Sequence, residues 1–410
     1  CSADGGFWLE SASGSSGLSV SSTTIDAGSG RIFGGAAAHS SASGAGLSLS
    51  GGSLSAGEIN LSGRSDSGQG INFSGVEGAA VASLSLNGLA TSDGVQLTNT
   101  HLSAPTLSLQ GRSVFNGHGV VVGDNPGPNS TLVGLSATQL TISGQSADQA
   151  VDGTHVGVRV NGNTDFTLSG RGAALISGNT VLMGGPVDQQ ATAFVTGDAA
   201  SFTVNTTGSM RLQNTRLDFG AGGGTQVTLR SDTDSTLNGR VRLDSTDIKT
   251  GNGDFTITGG SGAAVGAHTF DTAGNTLPRN TLLLEGASGI LFTGLHVNID
   301  AGTGAVNLAG QAATDGRADQ PTVGGGWGIT VSSPTTIHGN SITLAGHGGD
   351  KGMGIDAGAT TAGGTLNLAA NSISVTGRGV GINPNDSRPY AGLAAGPGNQ
   401  WLASGGALSV

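Results

Sequence analysis

Short triplets of the form apolar–polar–apolar recur along almost the whole chain, and glycine, asparagine or aspartate follows each of them closely. Examples are Ile59-Asn60-Leu61, Leu84-Ser85-Leu86, Leu107-Ser108-Leu109, Phe166-Thr167-Leu168, Phe255-Thr256-Ile257, Ile342-Thr343-Leu344 and Ile373-Ser374-Val375. Alternation of period two makes one face apolar and the other polar, which is the pattern of a half-buried strand. A glycine then comes at a fixed place: Gly111 after Leu109, Gly144 after Ile142, Gly310 after Leu308, Gly346 after Leu344 and Gly377 after Val375. A long polar residue follows it, as at Arg112, Gln145, Gln311, His347 and Arg378. Glycine there is expected to serve a positive φ or a tight corner.

Strands this short cannot bury an apolar face by themselves, whereas stacked coils can. The stretch from Thr365 to Asn385 reads as one coil, with strands at 366–368, 373–375 and 380–382 and corners between them. Leu102, Leu107-Ser108-Leu109 and Val120-Val121-Val122 form a similar set. The fold expected is all-β, a right-handed parallel β-helix or β-solenoid. At about 22–26 residues per coil and a rise of about 4.8 Å, it makes about 16–18 coils and an elongated rod. Ile-Asp-Ala-Gly occurs at Ile25, Ile299 and Ile355, a second internal repeat. The expected organisation is an N-terminal tail or cap over 1–17, a β-helix shaft over 18–390, and a loosened coil or the start of a next segment over 391–410. Neither end shows a cap motif, so a fragment of a longer chain is expected.

Composition removes other classes. With 77 glycines among 410 residues the chain is unsuited to long helices. Sixteen basic against 27 acidic residues give a net charge of −11, against a nucleic-acid partner. No run of apolar residues is long enough for a membrane-spanning helix. A single cysteine, Cys1, allows no disulfide within the chain, so packing and backbone pairing must supply the stability.

Chemistry-bearing motifs are sparse. Asn163-Thr164-Asp165 and two Gly-His-Gly strings, at Gly117 and Gly346, match parts of the polygalacturonase pattern, but its Asp-Asp and Arg-Ile-Lys elements are missing. The acidic group Asp232, Asp234, Asp244 and Asp247 is interleaved with Arg230, Arg240 and Arg242, and is expected to be a solvated charge cluster. The eight histidines show no metal spacing, although stacking could unite a pair such as His338 and His347. No catalytic residue, metal ligand or cofactor is assigned. The candidate binding loop is the long excursion from Gln311 to Gly328, carrying Asp315, Arg317, Asp319 and Trp327; the other reading of Trp327 is a cap on the stack. Cys1 is either the lipidated first residue of a processed lipoprotein, tethered by Ser2-Ala3-Asp4-Gly5-Gly6, or an arbitrary starting point.

The strings Gly-Asn-Gly-Asp-Phe-Thr-Ile-Thr-Gly from Gly251, Gly-Thr-Gly-Ala-Val-Asn-Leu-Ala-Gly from Gly302, and Leu-Asn-Leu-Ala-Ala-Asn-Ser-Ile-Ser-Val-Thr-Gly from Leu366 resemble the repeats of filamentous-haemagglutinin-type exoproteins. The likeness is one of repeat style and runs from about residue 18 to 390. It implies a β-helical shaft secreted by two-partner secretion through an outer-membrane pore transporter and acting in adhesion, biofilm or contact-dependent inhibition. The family's secretion domain carries Asn-Pro-Asn-Gly near its start; here Asn383-Pro384-Asn385 is followed by Asp386 and lies late, so no secretion domain is assigned. The expected role is a non-enzymatic, extracellular or outer-surface adhesin shaft that meets a receptor or glycan on a neighbouring cell. The alternatives are a carbohydrate-active β-helix enzyme, such as a lyase or tailspike-like depolymerase, and a self-associating subunit of an extracellular filament or sheath.

Overall fold

The computed structural model describes residues 6–14, 17–39, 44–123, 132–147, 155–185, 193–220, 223–233, 239–260, 288–312, 326–349, 352–360, 363–380, 391–405 and 408–410. The chain forms two compact units, Cys1–Ala199 and Ala200–Val410. No helix occurs among the described residues, and strands pair in parallel with the strands of neighbouring coils. Each unit is a parallel β-helix.

One coil shows how the sequence produces it. The strand Leu47–Ser65 runs through three faces, with residues 47–50 on the first, 53–56 on the second and 58–65 on the third. It bends at Gly51 and Gly52, whose φ values of 68° and 90° suit glycine. Apolar residues of each face then stack in register. In the first unit the third face stacks Leu61, Leu86, Leu109, Ile142 and Ile176. In the second unit it stacks Val204, Leu229, Ile257, Leu308, Leu344 and Val375. All of these are buried, each contributing about 1.5–3 kcal/mol.

The corner between the first and second faces repeats a left-handed residue. Ser22, Asn99 and Asn163 in the first unit and Asn214 and Ser245 in the second have φ between 46° and 59°. Asparagine tolerates this region better than most side chains. The next position is a buried threonine in several coils, including Thr100, Thr164, Thr215 and Thr246. Its hydroxyl donates to a carbonyl that the bend leaves behind, as from Thr100 to Thr98 O at 2.8 Å and from Thr246 to Asp244 O at 3.2 Å. Other coils place Val76, Val133, Val297, Ala193 or Leu366 there in register, so the site asks first for an inward apolar body.

The corner from the third face to the next coil is built by two facing glycine columns. Gly63, Gly88, Gly111 and Gly144 stack in register, as do Gly259, Gly310, Gly346 and Gly377. None of these has a positive φ, contrary to one of the two reasons that the sequence offers for them. What they need is the missing Cβ. A Cβ on Gly111 would lie 1.9 Å from Gly119 O and one on Gly310 would lie 2.1 Å from Gly328 O. Those carbonyls are already accepting bonds between coils, from Val95 N at 3.0 Å and Ile290 N at 3.0 Å.

The longest stack in either unit has seven rungs among the described residues. Insertions lengthen some coils: Asp247 and Asn298 are adjacent across coils yet 51 positions apart. Two details depart from the sequence reading. In the coil beginning at Thr365, Val380 makes an antiparallel bridge to Gly352, 381–382 lie outside the described residues, and Leu393–Ala395 is the strand that pairs with Ile355–Ala357. The three Ile-Asp-Ala-Gly strings are also not equivalent. At Asp26 and Asp300 the carboxylate accepts the N–H of Gly28 (2.9 Å) and Gly302 (3.0 Å), closing the same type of corner. Ile355 instead opens a first-face strand, and Asp356 is buried. Parallel pairing also involves Phe7–Gly14, inside the stretch 1–17, and Gln400–Ala403, inside 391–410.

Candidate binding groove

The second face of the second unit carries two outward columns of polar side chains. Inward residues Leu217, Ile248, Ile299 and Ile337 stack behind them. One column is Arg216, Asp247, Asn298 and Thr336; the other is Asp218, Lys249, Asp300 and His338. Period two puts both columns on one side, and the register sets successive members one strand spacing apart, about 4.8 Å. All members of the two columns except Asp218, which stands at the margin beside Arg216, line a groove of about 500 Å³. His338 also borders a second hollow of about 480 Å³, with Asn252, Thr303, Asn340, Asn371 and Ser404 on its walls.

Several of these polar groups are held by a neighbour. Arg216 Nη2 reaches Asp218 Oδ2 at 2.9 Å. Asn298 Nδ2 donates to Asp247 Oδ1 at 2.7 Å, and His296 Nε2 lies 3.3 Å from that oxygen. His338 Nδ1 lies 2.9 Å from Asp300 Oδ1. In the second hollow Asn371 Nδ2 donates to Asn340 Oδ1 at 2.7 Å, and Ser404 donates to Asn371 Oδ1 at 3.2 Å. The hydrogen bond from Arg216 holds the Asp218 carboxyl below the usual carboxylate range. That from His338 does the same for Asp300, aided by the Gly302 N–H. The groove therefore presents fixed acceptors and donors in alternation, with Asp218 and Asp300 ionised near neutral pH.

Residues singled out in the sequence fall elsewhere. Trp327 is half-buried at a corner just before Ile329–Val331, and its carbonyl accepts Gly289 N–H at 3.1 Å. Cys1, Asp315, Arg317, Asp319 and Asp234 lie outside the described residues. The acidic group does not form one solvated cluster. Asp244 is buried on the first face, 2.5 Å from Arg211 Nη2 and 3.3 Å from Arg242 Nη2, while Asp247 is in the groove. Spacing concealed this because Arg211 comes from the previous coil. His338 and His347 are not united: His347 ends a third-face strand, in register with Gln311 and Arg378. Asn163 and Thr164 are corner residues, and Gly119 and Gly346 belong to the glycine columns.

A polar cluster in the first unit was missed. His118 is half-buried, its Nδ1 accepting Val156 N–H at 3.0 Å, and its ring meets His155 edge-on at 5.7 Å. Asp93 Oδ1 accepts the His118 N–H at 2.8 Å, and Arg159 Nε donates to Asn161 Oδ1 at 2.8 Å. Desolvation pulls the imidazole down to about 3, with Arg159 and His155 adding to it, and burial pushes the Asp93 carboxyl up. Among the described residues no group of three or more His, Cys, Asp or Glu is arranged to hold a metal ion. No protein-family model matches the chain, and neither a curated protein nor a solved structure matches it. The groove must therefore be read from its own chemistry.

Proposed function

We propose that this chain is a β-helical segment of a secreted or cell-surface exoprotein of the filamentous-haemagglutinin type, passed outward by an outer-membrane pore partner, and that it acts in adhesion by offering the groove of its second unit to a ligand on another cell. The observation that carries the proposal is the pair of polar columns in register along one face of a parallel β-helix. Such columns meet a linear, hydroxyl-rich ligand with a repeating set of donors and acceptors, and the coil stack holds them without loops.

The charge state favours binding over glycan cleavage at this place. Glycoside hydrolysis needs a carboxylic acid whose pKa is raised so that it can give a proton to the leaving group. Asp218 and Asp300 are shifted the other way. The test compares the wild-type protein with an Asp300→Ala/His338→Ala variant on bacterial and host cells and on immobilised glycans, with release of reducing ends measured in parallel. Saturable retention that falls about tenfold or more in the variant, without new reducing ends, is the expected result. Retention unchanged by the variant would refute the groove reading, and new reducing ends lost with it would make this an enzyme.

A further inference from the structure

Outward residues on the third face of the first unit are small and polar in most coils: Asn60, Ser85, Ser108 and Thr141 occupy one column in register. The first two rungs of that column break the rule with Trp8 and Phe33. Trp8 is 67% exposed. A single exposed aromatic needs no explanation, but two in contact, at the end of a column that continues through asparagine, serine and threonine as far as Thr141, before Leu175, form an apolar patch beside polar residues.

The patch is held in shape. The two rings have centroids 6.3 Å apart and planes tilted at 47°. The indole N–H donates to Glu10 Oε2 at 2.9 Å. Arg31 places its guanidinium carbon 5.7 Å from the centre of the Phe33 ring, and its Nε lies 3.0 Å from Glu58 Oε2. The result is an aromatic surface with carboxylates on two sides and a guanidinium on one. Rigid aromatics present contact area with little loss of side-chain freedom on binding.

A pyranose ring has the complementary chemistry. It offers a face of C–H groups to the negative face of an aromatic ring and a belt of hydroxyls that donate to carboxylates and accept from guanidinium. A purely apolar partner would leave Glu10, Arg31 and Glu58 facing its surface without partners in kind, at a desolvation cost. We propose that Trp8 and Phe33, rimmed by Glu10, Arg31 and Glu58, are a stacking platform for a sugar ring of a glycan. It stands on the first unit alone and is independent of what the groove at Asp300 binds.

The test is a titration of intact protein with glucose-, galactose- and N-acetylglucosamine-based tetrasaccharides, followed by tryptophan emission and by calorimetry. A Trp401→Phe background removes another indole. At least one sugar class is expected to change the emission and to bind saturably, with Trp8→Ala weakening it about tenfold or more and Arg31→Ala by a smaller factor. Both side chains are mostly exposed, so both variants should keep the wild-type circular dichroism. Failure of all three sugars, or binding indifferent to Trp8→Ala, would overturn the platform. So would a concentration-dependent sedimentation shift that Trp8→Ala abolishes, since the patch would then be a contact between copies.

Discussion

Replacing His118 with asparagine should change how this protein responds to mild acid. In the folded chain desolvation disfavours the charged imidazole, Arg159 and His155 also oppose its protonation, and its pKa lies at about 3 rather than 6.5. Once unfolded it titrates near 6.5. Between those values the unfolded chain binds a proton that the folded one refuses, so stability is lost as pH falls below 6.5, at about 1.4 kcal/mol per unit. Because 3 lies well below pH 5, the loss between pH 7 and pH 5 is close to complete for that interval, about 2 kcal/mol. Asp93 acts with the opposite sign: its raised pKa penalises the folded state at neutral pH, and the penalty eases as pH falls through that pKa. Asparagine cannot titrate, and its Oδ1 stands near the position of Nδ1 to accept Val156 N–H. Urea denaturation of wild type and His118→Asn at pH 7 and pH 5 isolates the effect, since Asp93 and every other group are common to both. Relative to wild type, the variant should gain about 2 kcal/mol at pH 5 over its value at pH 7. A difference that stays constant between the two pH values would show that the fold does not hold His118 neutral.

Other outcomes follow from packing and charge. Gly111→Ala puts a Cβ 1.9 Å from Gly119 O, so backbone must move in both columns, at a cost of about 1–3 kcal/mol or more in chemical denaturation; an unchanged midpoint would contradict the facing glycine columns. Asp244→Ala leaves Arg211 and Arg242 buried beside a lost carboxylate and should cost about 3–5 kcal/mol. Asp247→Ala in the groove should cost under about 1 kcal/mol, and equal losses for the two would reject the buried pair. Asp300→Asn should flatten the acid limb of the melting curve. The depressed carboxyl stabilises the fold above its unfolded value of 3.8 and loses that contribution as pH falls through its lower folded pKa, as melting temperatures at pH 2–5 would show.

The coil was legible because its grammar is local. Leu107-Ser108-Leu109-Gln110-Gly111 states an inward pair, an outward residue and a corner within a single window, and the same window recurs at Ile142 and Leu344. The groove was not, because its members become neighbours only through register. Asp247, Asn298 and Thr336 share a column, but the lengths of the intervening insertions decide that, and no propensity encodes them. Burial misled at Asp244 for a related reason: a charged residue interleaved with arginines reads as surface until the previous coil brings Arg211 onto it. Trp8 read as part of a tail or cap because its strand has few alternating apolar residues, and its pairing with Phe33 depends on the coil above.

The facing glycine columns also determine what the fold tolerates. Each pair, such as Gly88 with Gly94, Gly111 with Gly119 or Gly310 with Gly328, brings the backbone on either side of the intervening sequence into close approach. The intervening sequence is short between Gly88 and Gly94 and much longer between Gly259 and Gly289, yet the strands on either side keep the same register. Closing the ends of a loop costs free energy that grows only slowly with its length, and here the scaffold has already closed them. These clasps are accordingly ports at which foreign peptides could be spliced in, in the turns that carry a glycine pair, with the spacing between grafts set by the scaffold rather than by the cargo.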